Sequence, residues 1–287
     1  MRGSALARLC APVIALVGCG RLRFDPVDAA DPPADVLADV ARDDATLDAR
    51  DDGSADATVD AGRSPYCQAI PALAGPPTID GVLEPGVVLE PIVPMFWTGA
   101  SAIPAGQSAQ LGMGWTAEGV YFFVSVEDRT SVVAPMTEED YCGDGAELYL
   151  DWDGVNAMAP MYDDPGTRQF IVAAAFGTGT RANRATGYVG TDNRGAWRST
   201  QFGAFGRSAG YVVEALVTAR DLGLPAGTPI TTRVGFDISI NVSPERPSAG
   251  ACGGRLGQYF LRALGTANSA HPYLNSGAFC TARLVPR

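Results

Sequence analysis

Short β-forming runs, separated by clusters of glycine, proline, asparagine and aspartate, fill the chain from about residue 66 onward. No apolar period of 3.6 residues persists beyond a turn or two, and Thr218–Leu222 is the one short helical turn that we expect. The predicted strands are Val88–Val93, Gln110–Trp115, Val120–Val126, Ala146–Trp152, Gln169–Phe176, Tyr188–Thr191, Tyr211–Val217, Thr232–Asn241, Gln258–Ala263 and Phe279–Leu284. Such strands are typical of an all-β sandwich or barrel. About 220 residues suffice for one sizeable core, so we predict one all-β domain, an antiparallel sandwich.

Residues 1–18 have the features of an export signal. Two arginines give a basic start, and the apolar run Cys10–Val17 is too short to span a bilayer as a mature helix. The run ends in Leu16-Val17-Gly18-Cys19, where small residues precede a cysteine as in a bacterial lipobox. We predict a lipoprotein signal peptide and lipidation of Cys19. An ordinary signal peptide with an incidental cysteine is the alternative.

Residues 19–64 would then form a lipidated tether, and residues 65–287 the folded domain. Twelve aspartates and many alanines lie between residues 25 and 64. Such a segment buries too little apolar surface to offset its chain entropy, so we expect it to be disordered and extended by its charge. Weak calcium binding by these aspartates is the alternative, although the glycine and glutamate positions of an EF-hand loop are missing.

The net charge excludes one class of partner. The whole chain carries −11, and from Tyr66 onward there are 20 acidic residues and 14 arginines, a net charge of −6. Binding to nucleic acid needs a basic surface that meets the phosphates, and the sequence offers no basic stripe. We therefore predict no nucleic-acid partner.

Cysteine usage fits an exported protein. Cys10 would leave with the signal peptide, and Cys19 would carry lipid. Four cysteines remain in the folded part of the chain: Cys67, Cys142, Cys252 and Cys280. An even number in an oxidising compartment predicts two disulfides. Three pairings are open on the sequence alone.

Alternation along the strand after residue 145 separates two faces. Leu148 and Leu150 share one face, which should pack into the core, whereas Glu147, Tyr149 and Asp151 share the other. This pattern leaves Glu147 available to a surface groove.

Two other predicted strands carry a charged residue among apolar ones. Arg168 shares a face with Phe170 and Val172. Glu214 lies between two apolar residues on one face of its strand, and a carboxylate flanked in that way must find hydrogen-bond partners.

One stretch combines an aromatic residue, an aspartate and a glutamate at spacings of three, from Tyr141 through Asp144 to Glu147. Four other motifs surround it in order: Pro77-Thr78-Ile79-Asp80-Gly81 and Trp115-Thr116-Ala117-Glu118-Gly119-Val120-Tyr121-Phe122 before it, Gly210-Tyr211-Val212-Val213-Glu214-Ala215 and Asp221-Leu222-Gly223 after it. This ordered set resembles the family 9 carbohydrate-binding module, within the DOMON-like group. The resemblance covers roughly residues 72–285 and implies a jelly-roll-like β-sandwich that binds sugar without catalysis.

The resemblance also implies a ligand set. Modules of this family hold a sugar, typically a chain end, between two aromatic rings, and charged side chains form hydrogen bonds with its hydroxyls. Tyr141, Asp144 and Glu147 fit the first part of that pattern, Arg168 is the basic residue on the following strand, and Tyr259 (or Phe260 beside it) is the second aromatic residue. Tyrosine stands where the family usually has tryptophan, and its smaller stacking area predicts either low affinity or a different ligand.

The same resemblance favours two disulfide pairings. Cys67–Cys280 would join the first and last strands, which lie side by side in such a sandwich. Cys142–Cys252 would join two loops near the ligand face.

Several alternatives stay open. Asp144 could cap its loop, and Glu147 could form an ion pair with Arg168. A glycosidase acid pair is disfavoured, because Asp144 and Glu147 lie on one loop-strand junction. The only histidine, His271, lies in a loop without an evident triad or haem partner. A structural or protein-binding domain with a degenerate sugar pocket is the main rival.

We predict no cofactor. Structural calcium at the acidic loops, Asp151-Trp152-Asp153-Gly154 and Asp163-Asp164, is a lower-ranked alternative. The expected partners are a glycan and, through Cys19, a membrane, with the chain a monomer. The residue after Cys19 is Gly20 and not the aspartate that retains some lipoproteins at the inner membrane. This favours the outer membrane.

Overall fold

The computed structural model describes residues 64–92, 105–130, 132, 140–154, 166–174, 185–189, 193–196, 201–243, 257–261 and 276–287. The predicted signal peptide, the lipidation site and the tether lie outside these residues, as do Cys252, His271 and the acidic pair Asp163-Asp164.

The described residues form two β-sheets. The larger sheet contains β1 Ala69–Pro71, β5 Gly145–Asp151, β6 Thr167–Ala173, β7 Ala185–Val189, β8 Asn193–Ala196, β11 Arg233–Val242, β12 Gly257–Phe260 and β13 Cys280–Val285. The smaller sheet contains β2 Glu90–Pro91, β3 Ser108–Trp115, β4 Gly119–Glu127, β9 Phe202–Arg207 and β10 Gly210–Thr218. Among the described residues no helix has the length and apolar character needed to span a bilayer.

The strand order confirms an antiparallel sandwich. The larger sheet runs β1-β13-β11-β5-β6-β7-β8, and β12 pairs with β11 beyond the end of β13. The smaller sheet runs β2-β3-β4-β10-β9. All named strand pairs are antiparallel except β1 with β13. After β1 the chain crosses to the smaller sheet, where the Leu73 N–H donates to the Trp115 carbonyl at 2.9 Å.

Each of the ten predicted runs overlaps a strand, but the sequence reading missed three strands. The missed strands are Ala69–Pro71, Asn193–Ala196 and Phe202–Arg207. The first two are short, and glycines interrupt the alternation of the third, Phe202-Gly203-Ala204-Phe205-Gly206-Arg207. The expected turn at Thr218–Leu222 is present, because the Leu222 N–H donates to the Thr218 carbonyl at 3.3 Å.

The main core lies between the sheets. Leu148 and Leu150 of β5 pack there with Phe122 and Val213 of the smaller sheet, and all four side chains are fully buried. The predicted inward face of β5 is therefore confirmed. Its other face, which carries Glu147, turns away from this core.

A second apolar cluster covers the outer face of the smaller sheet. Tyr121, Phe123 and Val212 pack there against Leu83 and Leu89 of the segment that precedes β2. This segment, residues 72–89, therefore forms a cover over the smaller sheet.

Glu214 lies beneath that cover and is fully buried. Its carboxylate accepts hydrogen bonds from the Tyr121 hydroxyl at 2.6 Å and from the backbone N–H groups of Asp80 and Gly81 at 2.8 and 2.7 Å. The prediction that Glu214 must find partners is confirmed. Burial raises the pKa of the Glu214 carboxyl, and these hydrogen bonds oppose the rise.

Gly81 is the position that makes this turn feasible. Its φ of +81° suits glycine, and a Cβ there would lie 2.7 Å from the Phe205 ring. The Pro77–Gly81 motif therefore shapes a turn whose two N–H groups hold Glu214.

The Cys67–Cys280 disulfide is confirmed. The two Cα atoms lie 5.1 Å apart, just before β1 and at the start of β13. Since β1 pairs with β13 in register, the bond closes the domain at its first and last strands. Cys142 is also disulfide-bonded, and its predicted partner Cys252 lies outside the described residues.

Candidate functional site

Polar side chains line the outer face of the larger sheet. Ser239 of β11 lies opposite Glu147 of β5, and Asn241 lies opposite Gln258 of β12. Gln169 of β6 lies opposite Tyr149 of β5. Directly opposite residues project from the same face of a sheet. We call this set the Glu147 network: Glu147, Tyr149, Gln169, Ser239, Asn241 and Gln258.

Three side chains hold the Glu147 carboxylate. Gln258 Nε2 donates to Oε1 at 2.8 Å, and Gln169 Nε2 donates to Oε2 at 2.8 Å. The Tyr149 hydroxyl also donates to Oε2 through a short hydrogen bond. Donors from three strands therefore fix the orientation of one carboxylate.

A second layer of hydrogen bonds orients those donors. Gln258 Nε2 also donates to Asn241 Oδ1 at 2.7 Å. The Tyr149 oxygen lies 3.3 Å from both Gln169 Nε2 and Ser239 Oγ. Within the network, Gln169 is 8% exposed, Glu147 and Gln258 are 2% exposed, and the rest are fully buried. Hydrogen bonds are strong in such a setting, so the network is rigid.

Asp144 caps the loop that leads into β5. Its Oδ1 accepts the Ser243 N–H at 2.9 Å, and its carbonyl accepts the Ala174 N–H at 2.8 Å. Ser243 Oγ in turn donates to the Cys142 carbonyl at 3.1 Å. The loop-cap interpretation of Asp144 is confirmed. Tyr141 lies in the adjoining 3-10 turn and is half-buried, and its contact with a ligand stays a prediction.

The expected position of Arg168 beside Glu147 is wrong. Arg168 lies opposite Leu150, whereas Glu147 lies opposite Ile171, so the two side chains project from opposite faces of the sheet. The guanidinium donates to the Thr167 carbonyl at 2.6 Å. The register therefore contradicts the alternative of a Glu147–Arg168 ion pair, and Gln169 occupies the position on β6 that reaches Glu147.

The expected position of Tyr259 is also wrong. Tyr259 lies opposite Ile240, packs into the main core, and donates from its hydroxyl to Gln107 Oε1 at 2.7 Å. Burial raises the pKa of the Tyr259 hydroxyl, with a smaller contribution from the Asp128 charge. The alternative, Phe260, lies on the network's face but is fully buried.

Gln169 and Gln258 are the site residues that the sequence reading missed. Each neighbours a residue that was chosen, Arg168 or Tyr259, and each lies on the correct face by alternation. Alternation counted from a correct strand register would have found them.

In the acidic loop after β5, an aspartate accepts a hydrogen bond from the loop's own backbone. Asp151 is buried, and its Oδ1 accepts the Asp153 N–H at 3.3 Å. Across the part of the chain that the structure describes, His, Cys, Asp and Glu side chains form no group of three or more that could hold a metal ion.

Comparison with known proteins relates this fold to others. No protein-family model and no curated protein matches the sequence. A family 9 carbohydrate-binding module from Caldicellulosiruptor kristjanssonii, solved with cellotriose, matches 77% of this chain and 95% of its own, with a TM-score of 0.52 and 20% identity. A structure of a family 9 module from the same organism with glucose matches 77% of this chain and 97% of its own, with a TM-score of 0.51 and 18% identity. The described sandwich therefore has the fold of these family 9 carbohydrate-binding modules, as the sequence resemblance implied.

Proposed function

We propose that this chain is a non-catalytic carbohydrate-binding lipoprotein whose ligand site is the Glu147 network. The observation that carries the proposal is a carboxylate fixed by side chains of three strands on the outer face of the sandwich. Recognition of sugar hydroxyls needs a few polar groups held in place. Solved structures of the same fold are complexes with glucose and with cellotriose, which supports a sugar as the ligand class.

The aromatic side chains suggest modest affinity. Tyr149, Phe260 and Phe279 are at most 1% exposed, and the rings of Tyr149 and Phe279 pack together with centroids 5.8 Å apart. They support the network and offer little stacking surface, whereas Tyr141 is half-buried. A mono- or disaccharide of about 11–23 heavy atoms at roughly −0.3 kcal/mol per atom gives about −3.5 to −7 kcal/mol. This range corresponds to roughly millimolar down to ten-micromolar affinity.

The hydrogen bonds favour binding over catalysis. A general acid or base must exchange a proton with the substrate. Asp144 Oδ1 is occupied by the Ser243 N–H, and Glu147 accepts from three protein donors. Both carboxylates therefore already accept hydrogen bonds from protein donors, which supports a binding role over a catalytic one.

The N-terminal part of the proposal rests on the sequence. Lipidation at Cys19 and an acidic tether would place the monomeric domain on the bacterial cell envelope, with the outer membrane favoured. Weak single-site binding becomes effective when many copies share one surface.

A structural or protein-binding domain is the second candidate. The small exposure of the Glu147 network favours it, because a buried polar network can also specify a fold. This candidate predicts that Glu147 supports stability alone.

A glycan array followed by titration tests the proposal. The mature chain would be purified with its disulfides intact, beside Glu147→Gln and a matched control, Glu118→Gln, in which an exposed carboxylate at the β3–β4 turn is changed. We expect binding of roughly ten-micromolar to millimolar affinity that is weakened in Glu147→Gln and kept in Glu118→Gln. A folded wild-type chain that binds no glycan would leave the structural role as the better account.

A further inference from the structure

The two glutamine amides of the Glu147 network have a defined orientation. A carboxylate only accepts hydrogen bonds, so the amide atom that lies 2.8 Å from each Glu147 oxygen must be the NH₂ group. Gln169 and Gln258 therefore both direct nitrogen toward Glu147. Their carbonyl oxygens consequently point away from the carboxylate.

The hydrogens of these side chains are used inside the network. Gln258 donates to Glu147 and to Asn241 Oδ1. Gln169 donates to Glu147 and lies 3.3 Å from the Tyr149 oxygen. An NH₂ group has two hydrogens, so neither glutamine keeps one for another partner.

The outward groups of the glutamines are therefore acceptors. Gln169 and Gln258 keep some exposed surface, whereas Tyr149, Ser239 and Asn241 are fully buried and cannot offer a donor to solvent. A ligand that meets these glutamines meets two carbonyl oxygens beside a carboxylate.

We propose that Glu147 sets the hydrogen-bond polarity of this site, so that it selects neutral and amino sugars over uronic acids, sulfated sugars and O-methylated sugars. The identification of the ligand as a sugar rests on the proposed function. Free hydroxyl and ammonium groups can donate to the two amide oxygens, whereas carboxylate, sulfate and ether oxygens cannot. An acceptor placed against an acceptor leaves both without a partner, and an anion is also repelled by Glu147.

Matched ligand series test the selectivity. Glucose, glucosamine, glucuronic acid and O-methylglucoses, with the corresponding galactose and mannose series, would be titrated into the mature chain. Within any series that binds, the unmodified and amino members should bind at least about ten-fold more tightly than the uronic acid and the O-methylated members, which corresponds to the loss of one hydrogen bond. Equal or tighter binding of the uronic acid would overturn the selectivity while leaving sugar binding in place.

Glu147→Gln tests the origin of the selectivity. The introduced amide offers one acceptor and one donor group, so one of the two neighbouring glutamines must turn over. The ratio between neutral and uronic ligands should then fall by about ten-fold, whereas Glu118→Gln should keep it. An unchanged ratio in a folded Glu147→Gln chain would contradict the role of Glu147.

Hydrogen exchange measured without ligand separates the proposed orientation of the two glutamines from the proposed sugar binding. The side-chain NH₂ protons of Gln169 and Gln258 should exchange slowly with deuterated solvent in the wild type. Fast exchange of both would overturn the orientation that Glu147 is proposed to impose, even if Glu147→Gln fails to fold. Slow exchange in a chain that binds no sugar would instead overturn the proposed function, and the sugar selectivity with it.

Discussion

Glu147 and Glu214 are two buried glutamates on the outer faces of the two sheets, and their surroundings differ. Each accepts a hydrogen bond from a tyrosine hydroxyl, that of Tyr149 or Tyr121. The remaining donors to Glu214 are backbone N–H groups of a segment that covers it with apolar side chains. The remaining donors to Glu147 are side-chain amides, one of them on Gln169, which is 8% exposed.

This difference separates a structural anchor from the proposed sugar site. Glu214 fastens the chain's own cover to the smaller sheet, so its hydrogen bonds are consumed in building the fold. Glu147 orders polar side chains whose outward groups can still meet a ligand. Burial alone would not have distinguished the two, whereas the identity of the donors does.

Glu214→Ala should give the largest effect, and it should be on stability. The change leaves the N–H groups of Asp80 and Gly81 and the Tyr121 hydroxyl without their acceptor. An unsatisfied buried donor costs about 1–3 kcal/mol, and water can reach the part-buried N–H groups, so we expect a loss of about 3 kcal/mol in the free energy of unfolding. Urea denaturation measures it, and sugar affinity should stay within about two-fold of wild type. A large loss of affinity in the folded protein would show that the two glutamates are coupled.

Glu147→Ala should show the reverse pattern. The Gln169 amide can turn toward solvent, so we expect a smaller stability loss of about 1–2 kcal/mol. Sugar affinity should fall at least about ten-fold, because the carboxylate no longer orients the two glutamines. Calorimetric titration beside urea denaturation checks both quantities. A stability loss as large as that of Glu214→Ala, with affinity unchanged, would make Glu147 a second anchor.

The matched tyrosine variants sharpen the contrast with a smaller effect. Tyr121→Phe removes one donor from Glu214 in apolar surroundings and should cost about 1–2 kcal/mol of stability. Tyr149→Phe leaves Glu147 with two side-chain amide donors that can readjust, so it should cost less than about 1 kcal/mol and weaken sugar binding only a few-fold. Thermal unfolding and titration of the two variants, side by side, test whether each tyrosine acts through its own glutamate.

Alternation and turn residues predicted the sandwich and the core face of β5, but not the membership of the site. Arg168 and Tyr259 were assigned by spacing within family motifs, and both lie one residue from the side chain that reaches Glu147. Motif spacing gives the position of a residue along its own strand. Membership of a site on a sheet depends on the register of β6 and β12 against their neighbouring strands. A shift of one residue moves a side chain to the other face. The register depends on loops whose geometry the strand pattern does not encode.

Two of the three missed strands have a related cause. Pairing across the disulfide stabilises Ala69–Pro71, and pairing with β10 stabilises the glycine-rich Phe202–Arg207. Neither segment has the apolar alternation that marks a strand in isolation. Their conformation comes from tertiary pairing, which overrides local propensity.

The dependence of stability on pH gives the last and smallest distinction. Burial raises the pKa of Glu214 above its ordinary value of 4.5, so the folded state holds this proton more tightly than the unfolded state does. Stability linked to Glu214 is therefore fully present below the unfolded pKa and is lost as pH rises through the folded pKa. Relative to Glu214→Gln, the wild type should lose stability as pH rises from about 4 toward neutrality. Urea denaturation of both proteins across this range measures the difference, which isolates Glu214 because all other titrating groups are common to both. A difference that does not change with pH, or that favours the wild type at neutral pH, would mean that the backbone N–H groups of Asp80 and Gly81 compensate the burial of the charge in full.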